Sequence, residues 1–172
     1  MPVGFAELTF GIYKGFVELK RYGLVETLPR MMGCEPAAGA PLKRALDTGQ
    51  SVAYVNGDIV TDAYSIAVPV NSYRGVVAIR ETNGDGVPVS EEEIRRAQAM
   101  LSGAGMWAEL SSAVAFAGAL HARELGIGRH GPIVCINTSS GFKDISVGAH
   151  PVPQIDGSWK ALCDLMAQHN LV

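Results

Sequence analysis

Charged side chains are scarce in this sequence. Lysine, arginine, aspartate and glutamate make up 18% of its 172 residues, compared with roughly 25% in a typical soluble protein. Apolar residues make up 48%, and a single domain of this length can bury a hydrophobic core. We therefore expect a surface that is poor in charge. Such a surface favours a protein partner or an oligomer.

A basic excess, metal-binding patterns and long apolar runs are also absent. The net charge of −3 argues against nucleic acid, because nucleic-acid binding needs clustered lysine and arginine. The three cysteines form no CxxC pair, and the four histidines share no spacing typical of a metal site or a triad. No apolar run reaches the ~20 residues that cross a membrane, and the first residues do not resemble a secretory leader. The sequence therefore predicts no nucleic acid, no membrane, no metal and a reducing, cytoplasmic location.

Helical patterns recur along the chain. The clearest begins at Ser90, where Ser90 and Glu93 form a capping box ahead of an apolar stripe at Ile94, Ala97 and Leu101. Apolar spacing and the turn residues that follow predict further helices at 12–22, 42–48, 72–81 and 113–125, and after residue 158. The helix at 113–125 is rich in alanine and glycine, so its backbone can lie close against a sheet.

Short apolar segments alternate with these helices, at 1–3, 29–34, 87–89, 106–110 and 133–136. Parallel strands need crossover connections of the kind that helices supply. The alternation therefore predicts an α/β fold, a three-layer αβα arrangement with a mostly parallel sheet. Because the first segment is only the end of a strand, we expect the fold to be incomplete at its N-terminus. The segment 50–71 has no clear period, and we expect a loop with short extended pieces.

Three polar stretches follow predicted strands, at 4–9, 109–112 and 137–141. In open α/β sheets, ligands bind at the carboxyl ends of the strands, where loops bring together backbone N–H groups and hydroxyls. We therefore expect the three stretches to form one crevice. Each also has a simpler interpretation: 4–9 as an ordinary helix entry, Glu109 as an ordinary carboxylate at a strand end, and 137–141 as a polar turn.

The order and spacing of several segments resemble the C-terminal half of the fold-type-II pyridoxal-phosphate enzymes. This family includes cysteine synthase, the tryptophan synthase β chain and threonine synthase, and the resemblance to threonine synthase is the strongest. It covers residues 2–145. The segments that carry it are GIYKGF at 11–16, LPRM at 28–31, VSEEEI at 89–94, ELSSA at 109–113, VCINT at 134–138 and GFKD at 141–144.

The resemblance implies the large cofactor-binding domain of fold type II and a site for pyridoxal 5'-phosphate. The positions that it assigns to cofactor binding are Gly4, Phe5, Ala6, Glu109, Asn137, Thr138 and Ser139. The loop from Gly4 matches the family's cradle for the cofactor phosphate, although Phe5, Ala6 and Glu7 stand where small or amide residues are usual. Thr138 matches the hydroxyl residue that hydrogen-bonds the pyridine nitrogen. Glu109 matches a polar position near the cofactor face.

The lysine that forms the family's Schiff base belongs to the N-terminal half, which has no counterpart in this sequence. The resemblance therefore implies no catalytic residue in this chain. Of the five lysines, only Lys143 is near the predicted site. It fits a second Lys-Asp pair of the family, and the alternative that Lys143 itself forms the Schiff base stays open.

Together these features predict that residues 1–145 are the cofactor-binding half of an amino-acid lyase or synthase, followed by an extension at 146–172 that ends in a helix. The completed, threonine synthase-like enzyme would bind pyridoxal phosphate and act on a small amino acid by β/γ elimination or replacement. Completion would come from a separate N-terminal-half chain, or the chain would form a homo-oligomer. The alternative is a non-catalytic relic that serves as a binding or assembly subunit.

Overall fold

The computed structural model describes residues 1–124, 131–144 and 154–170. Within these ranges the helices are α1 (Glu7–Arg21), α2 (Pro41–Asp47), α3 (Tyr73–Glu81), α4 (Glu91–Gly103), α5 (Leu110–Glu124) and α6 (Trp159–Gln168). The strands are β1 (Met32–Pro36) and β2 (Asp85–Val89), and two short 3-10 helices occupy Tyr64–Ile66 and Gly141–Lys143. None of the described helices is long and apolar enough to cross a membrane.

The strands pair in parallel, which confirms the predicted α/β fold. β1 and β2 pair along their whole lengths, and they confirm the strands predicted at 29–34 and 87–89 with shifted ends. On the other side of β1, Pro2 forms an isolated parallel bridge with Cys34, and Val3 donates its N–H to the Cys34 carbonyl at 2.9 Å. The segment at the N-terminus therefore lies beside β1, at the edge of the sheet.

One face of this sheet lies against α2. Gly33 and Gly86 are opposite each other on the two strands. A methyl group on Gly33 would lie 2.6 Å from the side chain of Leu42, and one on Gly86 would lie 2.9 Å from Lys43. Both distances are shorter than van der Waals contact, so the absence of a side chain allows α2 to sit directly on the sheet.

The other face lies against α5. The next pair of opposed residues is Cys34 and Val87, and side chains alternate between the faces of a strand. A methyl group on Gly118 of α5 would lie 2.3 Å from the Cys34 sulfur. The alanine- and glycine-rich helix therefore approaches the sheet closely, as its composition predicts.

Each helix layer has its own hydrophobic core. The cluster between the sheet and the layer of α1, α2 and α3 includes Val3, Leu42, Val76 and Ile79. The cluster between the sheet and the layer of α4 and α5 includes Val87, Ile94, Leu110 and Val114. The predicted three-layer αβα arrangement is thus present in the described part of the chain.

The predicted helices are confirmed, with local contacts setting their ends. At α4, the Ser90 hydroxyl accepts the N–H of Glu93 at 3.3 Å, and the Glu93 carboxylate accepts the N–H of Ser90 at 2.7 Å. α1 begins at Glu7, earlier than predicted, because Ala6 adopts a left-handed conformation with φ 62° that turns the chain into the helix. α6 is also confirmed, and none of its residues is buried.

The strand predicted at 106–110 is wrong. Ala108 forms only an isolated bridge with Ser140, and Leu110 already belongs to α5. The helix begins there because the Asp144 carboxylate accepts the Leu110 N–H at 2.7 Å. This contact satisfies one of the free N–H groups at a helix start.

The strand predicted at 133–136 is also wrong. The segment has no strand assignment, and Ile133 and Val134 are 39% and 76% exposed. A strand needs a neighbour to pair with its N–H and C=O groups, and no strand lies beside this segment in the part of the chain that the structure describes. The loop predicted at 50–71 is confirmed: it contains one isolated bridge, between Tyr54 and Val70, and a 3-10 turn.

Glu35 of β1 provides a cap that the sequence pattern does not reveal. Its side chain is buried, with 1% exposure, and its carboxylate accepts the N–H groups of Leu42 and Lys43 at 2.9 Å each. The residue before α2, Ala40, provides no side-chain cap. Burial raises the pKa of Glu35 to about 7, although the two N–H groups oppose this shift.

We expect Glu35 to make the stability of the chain depend on pH. Because its pKa is raised in the folded chain, its contribution is fully present below its ordinary value of 4.5 and is lost as the pH rises through about 7. The loss amounts to about 3 kcal/mol at most. Urea unfolding at pH 5 and pH 8 should therefore show a smaller pH dependence for Glu35→Gln than for the wild type. Equal pH dependence of the two proteins would contradict this role.

Candidate active site

The 3-10 turn at 64–66 joins two of the predicted polar stretches. A methyl group on Gly4 would lie 3.5 Å from the Cα of Ile66, so the first loop contacts this turn. Ser65 donates its N–H to the Ser111 hydroxyl at 3.2 Å and its own hydroxyl to the Glu109 carboxylate. The loop before α1 and the start of α5 are therefore neighbours.

The third stretch lies directly on the first turn of α5. The hydroxyl oxygens of Ser112 and Thr138 are 2.7 Å apart, and Ser139 donates its N–H to the Ser112 hydroxyl at 2.7 Å. Glu109 donates its N–H to the Ser139 carbonyl at 3.1 Å. These contacts link Thr138 and Ser139 to Glu109. Asn137 is exposed beside them.

Glu109 is the buried charge of this cluster. Its side chain is 2% exposed, and it accepts a hydrogen bond from Lys143 Nζ at 2.9 Å. Burial acts to raise the pKa of Glu109, but the hydrogen bonds from Ser65 and Lys143 outweigh it and hold this pKa below its usual range. The same ion pair raises the pKa of Lys143. Both groups are therefore charged at neutral pH.

The charge on Lys143 bears on the alternative that this residue forms a Schiff base. Attack on an aldehyde needs a neutral amine, and a catalytic lysine usually has a lowered pKa. The ion pair with Glu109 instead raises the pKa of Lys143 and so favours its protonated form. The geometry therefore disfavours Lys143 as the Schiff-base residue and gives it a different role, which is to neutralise Glu109.

Asp144 is a site residue that the analysis of the sequence did not single out. It is 4% exposed, and one carboxylate oxygen accepts the N–H of Leu110 at 2.7 Å and the side-chain amide of Gln98 at 2.8 Å. Gln98 also donates to the Ala108 carbonyl at 2.8 Å. Its only signal in the sequence is the GFKD segment. Ser112 belongs to the predicted polar stretch 109–112, whereas Ser65 and Gln98 gave no signal at all.

The start of α1 offers N–H groups to an anion. Ala6 occupies the cap position and makes no side-chain hydrogen bond, so the first N–H groups of this 15-residue helix have no side-chain partner there. The Glu7 carboxylate lies 3.2 Å from Arg74 in an exposed ion pair. Phe5 is 53% exposed, and the methyl group of Ala6 fills the space above Gly75 of α3. A helix start of this kind suits a phosphate.

The structure thus links the loop of Gly4 to Glu109, Thr138 and Ser139 through the turn at 64–66. That these residues form one crevice for a ligand stays a prediction. The linked segments carry two sets of groups: the N–H groups that open α1 and the hydroxyls around the first turn of α5. A phosphate and a heteroaromatic nitrogen are chemically matched to these two sets.

Comparison with known proteins identifies the family. The model of the protein family described as "Pyridoxal-phosphate dependent enzyme" matches residues 1–139 of this chain. The chain belongs to this family of pyridoxal-phosphate dependent enzymes. The family's cofactor agrees with the cofactor that the sequence predicts.

Members of the family with the name threonine synthase are among the relatives. The enzyme of Methanosarcina acetivorans is 37% identical over 150 residues, which are 84% of this chain and 36% of the relative. That of Methanocaldococcus jannaschii is 36% identical over 151 residues, and that of Mycobacterium tuberculosis H37Rv is 31% identical over 157 residues, 42% of its length. The chain thus spans about two fifths of the relatives that it matches.

Solved structures of the family confirm fold type II. Maize serine racemase matches 98% of this chain and 46% of its own, with a TM-score of 0.67 and 16% identity. The processed form of threonine deaminase isoform 2 from Solanum lycopersicum matches 99% of this chain and 41% of its own, with a TM-score of 0.66 and 20% identity. At these identities the likeness shows the fold alone. The roles of the individual site residues and the domain boundary at 145 stay predictions.

We expect removal of the Asp144 carboxylate to destabilise the start of α5. In Asp144→Ala, the Leu110 N–H and the Gln98 amide lose an acceptor in a buried setting, which should cost about 1–3 kcal/mol of unfolding free energy. Asp144→Asn keeps one acceptor oxygen and should cost less. Asp156→Ala, whose carboxylate binds the Ser158 N–H at an exposed position, is the matched control. A loss for Asp144→Ala no greater than for this control, in urea unfolding, would refute the capping role.

Proposed function

We propose that this chain is the cofactor-binding half of a threonine synthase-like lyase or synthase. The observation that carries the proposal is the chain of contacts that joins the loop before α1 to the hydroxyls of Ser112 and Thr138 through the turn at 64–66. Membership of the pyridoxal-phosphate family and the threonine synthase relatives support it. When bound, the cofactor would supply an electron sink for bond breaking at the amino-acid substrate.

The residues of this chain would bind and orient the cofactor. The loop of Gly4, Phe5 and Ala6, with the start of α1, would receive the phosphate. The Thr138 hydroxyl, held by Ser112, would donate to the ring nitrogen and leave it without a full positive charge. Glu109 would lie near the cofactor face, with its charge balanced by Lys143. Asn137 and Ser139 would line the same pocket.

The Schiff-base lysine would come from an N-terminal half, supplied by a separate polypeptide. Two observations support this. The amine of Lys143 forms an ion pair with Glu109, and the amine of Lys43 lies 2.6 Å from the Asp47 carboxylate of α2 and 3.2 Å from the Asp85 carboxylate of β2. We also propose that residues 146–172 form a separate extension. No residue of α6, which lies in this range, is buried. We further propose that the protein is cytoplasmic.

A non-catalytic binding or assembly subunit is the second candidate. Phe5 favours it, because a bulky, half-exposed side chain stands where the family's phosphate loop has small or amide residues. The two candidates differ in cofactor affinity. A catalytic half should bind pyridoxal phosphate once it is completed, and an assembly subunit should not.

Thr138→Val tests the nitrogen contact. The substitution keeps the volume and removes the hydroxyl, so a polar ring atom would face a methyl group. We expect the complex with an N-terminal-half chain to lose about 1–3 kcal/mol of cofactor affinity, measured by titration of the cofactor absorbance. Thr48→Val, whose hydroxyl bonds to the Arg44 carbonyl in exposed α2, should bind as the wild type does. Equal affinities in the two variants would remove Thr138 from the site.

Borohydride reduction of the complex, followed by peptide mapping, identifies the lysine. We expect the reduced cofactor on a lysine of the partner chain and none on Lys143, because the Glu109 ion pair keeps Lys143 protonated. Lys143→Gln should therefore still give a labelled complex. A label on Lys143 in the wild type would show that this chain carries its own Schiff-base residue.

A further inference from the structure

A groove with a volume of about 400 Å³ runs between α1, β1, α5 and the segment 132–136. Its lining is apolar and includes Ile12 and Phe16 of α1, Met32 of β1 and Ala119 of α5. It lies on the side of β1 where the chain's first residues form only a single bridge. The groove is distinct from the polar crevice, which is built around the start of α5.

The segment 132–136 forms the open wall of this groove. Its composition is that of a strand buried on both faces, yet Val134 is 76% exposed. Cys135, next to it, is exposed, and its sulfur contacts the Ala115 carbonyl of α5 at 3.7 Å. Among the described residues this apolar segment has no strand partner, and an unpaired apolar segment is a template for a further strand.

We propose that this groove is the docking surface for the rest of a fold-type-II domain. The occupant is a polypeptide that pairs a strand with 132–136 and fills the groove with apolar side chains. This inference rests on the proposed function, since it names the surface on which the completing half docks. Docking would turn 133–136 into the buried strand that its sequence predicts.

The relatives favour this occupant. The family match at 1–139 includes every residue of the groove, while the chain spans only 36% of the Methanosarcina acetivorans relative and 46% of maize serine racemase. Those proteins contain additional chain outside the match, and additional chain that belongs to the same domain needs apolar surface to pack on. A groove of this kind is the surface that such chain would cover.

A second copy fits the groove less well. Two copies related by a two-fold axis would present the same patch to each other. That arrangement could pair the two 132–136 segments, but it would bring two concave grooves face to face, and neither could fill the other. The occupant needs a convex apolar surface beside its strand, which the remainder of an αβα domain provides.

The three cysteines of the chain make the docking measurable. Cys135 lines the groove and is exposed, Cys34 is buried, and Cys163 lies on α6 outside the groove. The partner is a chain that comprises the part of the Methanosarcina acetivorans threonine synthase outside its match to this sequence, with that of Methanocaldococcus jannaschii as a second partner. We expect either partner to abolish maleimide labelling of Cys135 over a time in which Cys163 is labelled fully, by peptide mapping. Unchanged labelling of Cys135 with both partners would overturn the proposal.

A pair of lysine variants tests the surface directly. Val134 and Val60 are 76% and 80% exposed, and only Val134 lines the groove. Both Val134→Lys and Val60→Lys should leave the helix content of the chain alone unchanged. Val134→Lys should weaken partner binding by about 100-fold or more, because a charge would become buried, and Val60→Lys should not. The proposal would be overturned if the two variants bound the partner equally well. It would also be overturned if Cys135 of the chain alone became protected as the concentration rises, because that would place a second copy in the groove.

Cofactor titration of the same samples separates this inference from the proposed function. Protection of Cys135 without any cofactor affinity would leave the docking surface intact and refute the cofactor-binding role. Cofactor affinity in a mixture where Cys135 remains fully reactive would support the cofactor-binding role and refute the docking surface.

Discussion

The carboxylate of Asp144 is the contact on which the candidate site depends. It accepts the first N–H of α5 and the amide of Gln98, so it fixes where the helix starts and how the segment after Thr138 returns to it. A charge-assisted hydrogen bond at a helix N-terminus is among the stronger polar contacts in proteins. Glu109 directly precedes the first turn that this carboxylate sets, and Ser111 and Ser112 lie within it. Thr138 and Ser139 reach the site by bonding to Ser112.

The features that sequence predicted well are those encoded by neighbours along the chain. The capping box of α4, the small residues of α5 and the parallel β/α alternation each follow from local composition. The crevice was predicted from the rule that the carboxyl ends of parallel strands meet at one edge. It stays a prediction, because the strands expected at 106–110 and 133–136 are not formed. The resemblance to the family supplied the cofactor. The cap that Glu35 gives to α2 could not be predicted, since it joins a strand to the following helix by a side chain that pattern analysis assigns to no role.

The two wrong strands have different causes. At 106–110 the local pattern predicted a strand, but the tertiary contact with Asp144 starts a helix at Leu110. At 133–136 the pattern matches a buried strand, but a strand is stable only when its backbone groups are paired. The structural neighbours include a serine racemase and a threonine deaminase, so the fold is compatible with several reactions and the substrate must be read from the site.

Ala6, the left-handed residue before α1, packs its methyl group into the space where a side chain at Gly75 of α3 would lie. An alanine with positive φ costs about 1 kcal/mol relative to glycine, yet the Ala6 methyl occupies the space that a side chain on Gly75 would need, at a separation of 2.5 Å. The contact between α1 and α3 thus accommodates one methyl group, either on residue 6 or on residue 75. In this chain the methyl group belongs to Ala6, whose backbone conformation is the more strained of the two. Exchange of the two residues would keep the joint filled and move the methyl group into the regular helix of α3, where alanine is favoured over glycine.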